Sequence, residues 1–155
     1  MVKALCAALV FGLSMFAVPL SRADPSEETA SSSNADSNYV AGRKALEAKN
    51  WKAAIELLHK AAMQDDRNPD IQNFLGYAYR NAGEIGLAFK HYEKALQLNP
   101  RHRGAHEYVG EAYLLINNLP KAEEHLAALQ KICLISCEEY EDLKRAIADH
   151  SSKLP

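Results

Sequence analysis

Residues 75–100 read LGYAYRNAGEIGLAFKHYEKALQLNP, and the order of apolar, small and turn-forming residues in this stretch decides the fold. Ile71, Phe74, Leu75, Ala78 and Tyr79 recur at three and four residues, which marks one face of a helix. Asn81-Ala-Gly83-Glu84 breaks the stripe with turn formers. A second stripe runs through Leu87, Ala88, Tyr92, Ala95 and Leu96. It stops at Asn99-Pro100, because proline disfavours helical geometry in the residue before it. Gly76 and Ala88 are small enough to let the two helices cross closely, with Tyr79 and Tyr92 filling the space above and below.

The pattern recurs with a period of 34 residues on both sides. Gly42, Gly76 and Gly110 fall in register, as do Ala45, Tyr79 and Tyr113, then Trp51, Ile85 and Leu119. Ala54, Ala88 and Ala122 follow, then Leu58, Tyr92 and Leu126, then Ala61, Ala95 and Leu129. Three helix pairs are expected, at about 35–68, 69–102 and 103–136.

The pattern resembles the tetratricopeptide repeat, most fully in the second copy through Leu75-Gly76, Tyr79, Gly83, Ala88, Tyr92, Ala95 and Pro100. The first copy departs from it with Ala45 in the aromatic column, Lys49 in the turn-glycine column and Asp66 in place of the proline. The third has Asn117 at its turn, a residue that tolerates positive φ, and lacks the closing proline. Beyond the repeats, Tyr140, Leu143 and Ile147 form the stripe of a further helix at about 137–149 that caps the stack. Ser136 with Glu139 has the spacing of a capping box, and Ile135 with Tyr140 that of a hydrophobic staple. The expected architecture is an all-α solenoid of three tetratricopeptide-like helix pairs plus a C-terminal capping helix, with the helical domain over 38–150.

Ahead of the repeats the composition changes twice. Lys3 is the only charge before Arg22, an apolar run of about 15 residues lies between them, and Ser21-Arg-Ala23 follows. A basic start, a run short of the roughly 20 residues that span a bilayer, and small residues at the end read as a secretory signal peptide over 1–23, not a permanent membrane anchor. Residues 24–37 hold no large apolar side chain to offset the entropy of ordering, and read as a flexible linker. The expected location is periplasmic, with secretion as the alternative.

The whole chain has 155 residues, 48% apolar and 25% charged, with 18 Lys and Arg against 20 Asp and Glu. One domain fits that length, and a net charge of −2 gives no electrostatic reason to expect nucleic acid. No glycine-rich phosphate loop, HExxH pair or recognisable nucleophile context occurs, so no catalytic residue and no cofactor is assigned. His102 and His106 are four apart, the spacing of two imidazoles on one helical face. No further ligand set completes a metal site, and His59, His91 and His125 are expected on solvent-facing second helices.

Cleavage after Ala23 removes Cys6 and leaves Cys133 and Cys137. Residues four apart on a helix have Cα atoms roughly 6 Å apart, within disulfide range. A local disulfide contributing about 2 kcal/mol is one reading. A redox or copper pair is the second, since paired thiolates suit soft metals, and two inert thiols are the third.

What remains is a surface. In repeats of this resemblance the first helix of each pair lines the concave face, which places Tyr39, Arg43, Leu46 and Glu47 there, then Asn73, Tyr77 and Arg80, then Glu107, Glu111 and Leu114. Tyrosines give contact area and arginines pair with carboxylates, so a peptide or protein segment is the expected ligand of a non-catalytic adaptor. The plain alternative is a solvated helix face with incidental aromatics. The carboxylate clamp known in some such repeats needs several Lys and Asn, for which only Asn73, Arg43 and Arg80 are candidates. A different class of function, a periplasmic thiol- or copper-handling accessory, would use Cys133 and Cys137.

Overall fold

The structure is a computed structural model that describes residues 37–153. The expected signal peptide, and the linker apart from Ser37, lie outside the described residues. Ser37 itself is already helical, one residue earlier than the sequence boundary.

Seven helices and no strand make up the described residues. The first, α1, covers residues 37–47. After it come α2 (Trp51–Gln64), α3 (Pro69–Asn81), α4 (Ile85–Leu98), α5 (Arg103–Leu115), α6 (Leu119–Ile132) and α7 (Glu138–Ser152). The chain is therefore an all-α helical-repeat solenoid, and α3 and α5 each open 34 residues apart.

The turns inside the three pairs are the same turn. Lys49, Gly83 and Asn117 occupy equivalent positions with φ of 55°, 84° and 56°. After each, the next amide reaches back five residues, Asn50 to Ala45, Glu84 to Tyr79 and Asn118 to Tyr113, at 2.8–2.9 Å. This left-handed closure satisfies carbonyls that the helix end would leave bare, and it favours glycine because a Cβ is strained there. Helix starts are set by side-chain acceptors: Asn50 takes the Ala53 amide, Asn68 those of Asp70 and Ile71, and Asn118 that of Lys121.

Packing follows the small-residue columns. A Cβ on Gly42 would meet Leu58 at 2.8 Å, and one on Gly76 would meet the Tyr92 ring at 2.5 Å. Each glycine is thus the notch that lets the first helix accept a side chain of the second. The third copy differs, because a Cβ on Gly110 would meet Leu143 of α7 at 2.6 Å. The capping helix enters the notch that a repeat's own second helix fills elsewhere, and Leu143 is fully buried. Ala54, Ala61, Ala78, Ala88, Ala95, Ala105, Ala112 and Ala122 are all inaccessible, so close helix approach and not bulk supplies much of the core. Leu87 is the exception to the expected second stripe, 37% exposed on the outer side of α4.

The start of α7 corrects the expected cap. The N-cap position is Cys137, and its side chain makes no capping hydrogen bond. Ser136 lies one residue too early for a capping box and donates to Glu141 instead, and Ile135 is 87% exposed, so it staples nothing. The segment 133–137 is bent between two helices, with Cys133 at the C-cap of α6, and the helix can start only after it.

Candidate functional site

The first helices α1, α3 and α5 present one face, and the sequence-assigned residues fall on it in two different conditions. Tyr39 and Phe74 rings pack with centroids 5.9 Å apart, and the Arg43 guanidinium lies 5.6–6.0 Å from both. Tyr77 continues the aromatic run, 4.9 Å from Tyr108 and 6.1 Å from Trp51. Arg43, Leu46, Glu47, Phe74, Tyr77 and Tyr108 line a cleft of about 210 Å³. Of these Leu46 is buried, and Leu114 is buried too but lies outside this cleft.

Arg80 and Glu111 are brought together rather than left to meet a ligand. Arg80 donates through Nη1 to Glu111 and to the Tyr108 carbonyl, and its guanidinium lies 5.2 and 5.4 Å from the Tyr77 and Tyr108 rings. Its side chain is only 11% exposed. The pair ties the second helix pair to the third, and it removes the strongest cation from the expected ligand set. Arg80 and Glu111 also line a wider cleft of about 590 Å³ beside Leu114, His150 and Lys153.

Asn73 and Glu107 lie at the other end. With Asp70, Phe74, His102, Gly104, Tyr108 and the α7 residues Glu138, Glu139 and Asp142 they line a cleft of about 330 Å³. Phe74 and Tyr108 are common to this cleft and the aromatic one, so the two adjoin. Burial pushes the Glu107 carboxyl up to about 8, helped by the negative charges of Glu111, Asp142 and Glu139. Burial likewise pushes the Tyr108 phenol up to about 12, with Glu107 next in effect.

Sequence reasoning missed Phe74 and Tyr108, having given Phe74 to the core stripe. Their 34-residue separation was the available signal. It also missed the α7 carboxylates, because nothing in the repeat pattern says which flank of the stack the cap covers.

The histidines are not on solvent faces, contrary to expectation. His91 pairs with Gln72 at 2.9 Å and stacks on Tyr79. His125 occupies the same place 34 residues on, paired with His106 at 2.9 Å and stacked on Tyr113. His59 reaches the Tyr79 hydroxyl at 2.8 Å. Burial holds His91 and His125 down to about 4. His102 and His106 do not converge, since His102 caps α5 and meets Asp70 while His106 turns to His125 and the Pro100 carbonyl. Among the described residues no group of three or more His, Cys, Asp or Glu could hold a metal ion. The Cys133 and Cys137 sulfurs lie within bonding distance, with Cα atoms 5.8 Å apart. No helix among the described residues is long and apolar enough to cross a membrane.

The tetratricopeptide-repeat pattern matches residues 69–102. Uncharacterized protein ycf37 of Pyropia yezoensis is 37% identical over 54 residues, a match spanning 35% of this chain and 30% of that protein. Among solved structures, the Arabidopsis OM64 TPR domain superposes with a TM-score of 0.70 at 13% identity, over 77% of this chain and 98% of that one. The TPR2B domain of yeast Sti1, in a complex with pHsp70, gives a TM-score of 0.71 at 13% identity, over 78% and 98%. The first TPR of Spaghetti (RPAP3), bound to the HSP90 peptide SRMEEVD, gives 0.67 at 19% identity, over 78% and 95%. At such identities the likeness speaks to the fold, and the match over 69–102 supplies the sequence pattern. Residues 69–102 carry the tetratricopeptide-repeat pattern, and the described chain has the fold of tetratricopeptide-repeat domains.

Proposed function

We propose that this protein is a non-catalytic adaptor that binds a peptide or protein segment along the face of α1, α3 and α5, and that it works after export. The observation that carries the reading is the adjoining pair of clefts with shared walls Phe74 and Tyr108, flanked by Tyr39, Arg43 and Tyr77. Aromatic side chains of this kind give contact area at low entropic cost, as binding hot spots require. One solved domain of the same fold, in RPAP3, is bound to an HSP90 peptide, and another, in Sti1, is in a complex with pHsp70, which supports the class of ligand. It does not transfer the sequence those ligands have. Export rests on the charge and apolar pattern of residues 1–23, and N-terminal sequencing from native cells should return Asp24 first.

The test is selection of a displayed library of random linear peptides on the purified domain. Enriched peptides should lose binding to Tyr77→Ala and keep it for Lys94→Ala on α4, with helical circular dichroism unchanged in both. No enrichment, or equal loss from both variants, overturns the reading. The thiol or copper reading is separated by Cys133→Ser with Cys137→Ser. An adaptor keeps its peptides in that variant, whereas an accessory of redox or copper chemistry loses its function with the sulfurs.

A further inference from the structure

The cleft between α3, α5 and α7 has a chemistry opposite to that of a carboxylate-binding groove. Its walls carry Glu107, Glu138, Glu139 and Asp142, with Asp70 at the rim. Some of these charges are already met: Asp70 by His102 at 2.9 Å, Glu139 by Arg103 at 3.4 Å, and Asp142 by Arg145 at 2.5 Å. Glu107, 9% exposed, accepts no hydrogen bond and no ion pair from a described residue. Beside it, Asn73 is 3% exposed, and its Oδ1 is a buried acceptor with no partner among the described residues. A buried carbonyl oxygen without a donor is costly and uncommon in native proteins.

We infer, on the reading that this face binds a peptide, that this cleft takes a Lys or Arg side chain of the peptide, its cationic head donating to Glu107 and to the free carbonyl oxygen of Asn73. Asn73 Oδ1 is an acceptor, as is the Glu107 carboxylate once it has given up its proton, so a donor completes both, and an ammonium or guanidinium brings three or five N–H groups. An acidic side chain would face Glu138, Glu139 and Asp142 with like charge and leave Asn73 Oδ1 bare. The shared walls Phe74 and Tyr108 offer ring surface along which the alkyl stem of such a side chain can run. A metal ion is the poorer occupant, because no set of three or more His, Cys, Asp or Glu among the described residues converges on a point. Arg80 on α3 is paired with Glu111, and Arg103 on α5 with Glu139, so neither is paired with Glu107.

Ligand capture should also move a proton. Glu107 faces Glu111 on its own helix, Glu139 and Asp142 on α7, and Arg80 and Asn73 on α3; with its carboxyl at about 8 it is mostly neutral in the empty cleft at pH 7. A cation seated against it favours the carboxylate, and the displaced proton passes to the buffer.

The experiment uses the peptides enriched from the random library. They should carry Lys or Arg at one fixed position, and replacing that residue by norleucine should weaken binding about tenfold or more, the worth of a charged hydrogen bond. Glu107→Gln should erase most of that difference, leaving the norleucine peptide bound as before. Calorimetry at pH 7 in two buffers of different ionisation heat should show proton release for wild type and none for Glu107→Gln. If Glu107→Gln alters the fold, Asn73→Ala serves instead, with the same loss for Lys and none for norleucine. Enrichment of Asp or Glu peptides, binding indifferent to the norleucine swap, or displacement of the peptide by millimolar calcium alone would each overturn the cation site. Indifference to the swap leaves the adaptor reading standing provided Tyr77→Ala still abolishes binding, whereas no enrichment at all removes the adaptor reading itself.

Discussion

Gly76→Ala adds one methyl group at the crossing of α3 and α4, and its cost can be worked from two distances. The new Cβ would lie 2.5 Å from Cδ1 and Cε1 of Tyr92 and 3.0 Å from Cγ. Carbon pairs rest at about 3.5–4.0 Å, so the ring must retreat by about 1 Å. Tyr92 is fully buried, and no open space receives it. Overpacking of this kind costs about 1–3 kcal/mol, while replacing glycine in a helix returns up to about 1 kcal/mol of propensity. A net loss of about 1–2 kcal/mol is expected. The control is Gly86→Ala on α4, where an added Cβ meets nothing within 4 Å, so only the propensity gain remains. In urea, with a slope of about 1–2 kcal/mol/M for a domain of this size, Gly76→Ala should lower the midpoint by about 0.5–2 M while Gly86→Ala leaves it unchanged or raises it. Tyr92→Leu, which copies Leu58 opposite Gly42, should absorb part of the added methyl, giving a favourable coupling of about 1 kcal/mol in the double variant. Midpoints that move together for the two alanine variants would refute the notch, and an additive double variant would refute Tyr92 as the group that fills it.

Three further outcomes follow from the geometry. Lys49→Gly should raise stability by about 1 kcal/mol and Gly83→Ala should lower it by a similar amount, read as urea midpoints, because both sit at left-handed φ where a Cβ is strained. Free imidazole titrates near 6.5 and folded His91 and His125 near 4, so the unfolded chain binds the extra protons between those values. Stability should therefore fall as pH drops from about 6.5 to about 4, and His125→Gln should flatten that fall. Glu107 has the opposite sign, since its folded value of about 8 lies above the free 4.5. The contribution it makes is present below pH 4.5 and lost as pH rises to about 8, so Glu107→Gln should gain stability over wild type across that window, and parallel pH curves for the two proteins would contradict it.

The helix pairs were legible because a 34-residue period is a property of the chain itself, visible in Gly42, Gly76 and Gly110 without any partner. Even the degenerate turn positions Lys49 and Asn117 keep the left-handed backbone, since the helices on either side impose it. What could not be read was the pairing of residues far apart in sequence. Arg80 is legible as a residue of a first helix, but its pairing with Glu111 depends on the rotation between successive helix pairs, which no local pattern encodes. The histidines were misplaced for the same reason: His125 looks like a polar-face residue until His106, Tyr113 and its own burial are seen together. The acidic cleft depends on where α7 docks, and one inward residue, Leu143, decides that.

Leu143 in the Gly110 notch gives the stack a latch at its C-terminal end. An array of helix pairs held only by neighbours unravels from its termini, the last pair first. Here the outermost element is anchored on α5, past α6, so α6 cannot peel away while Leu143 remains seated. Amide hydrogens of α6 should then exchange no faster than those of α7 open, and under mechanical load from the C-terminus the first resistance should come from one leucine leaving one glycine. The last helix pair, which would otherwise be the loosest part of the domain, is in this way held from both sides.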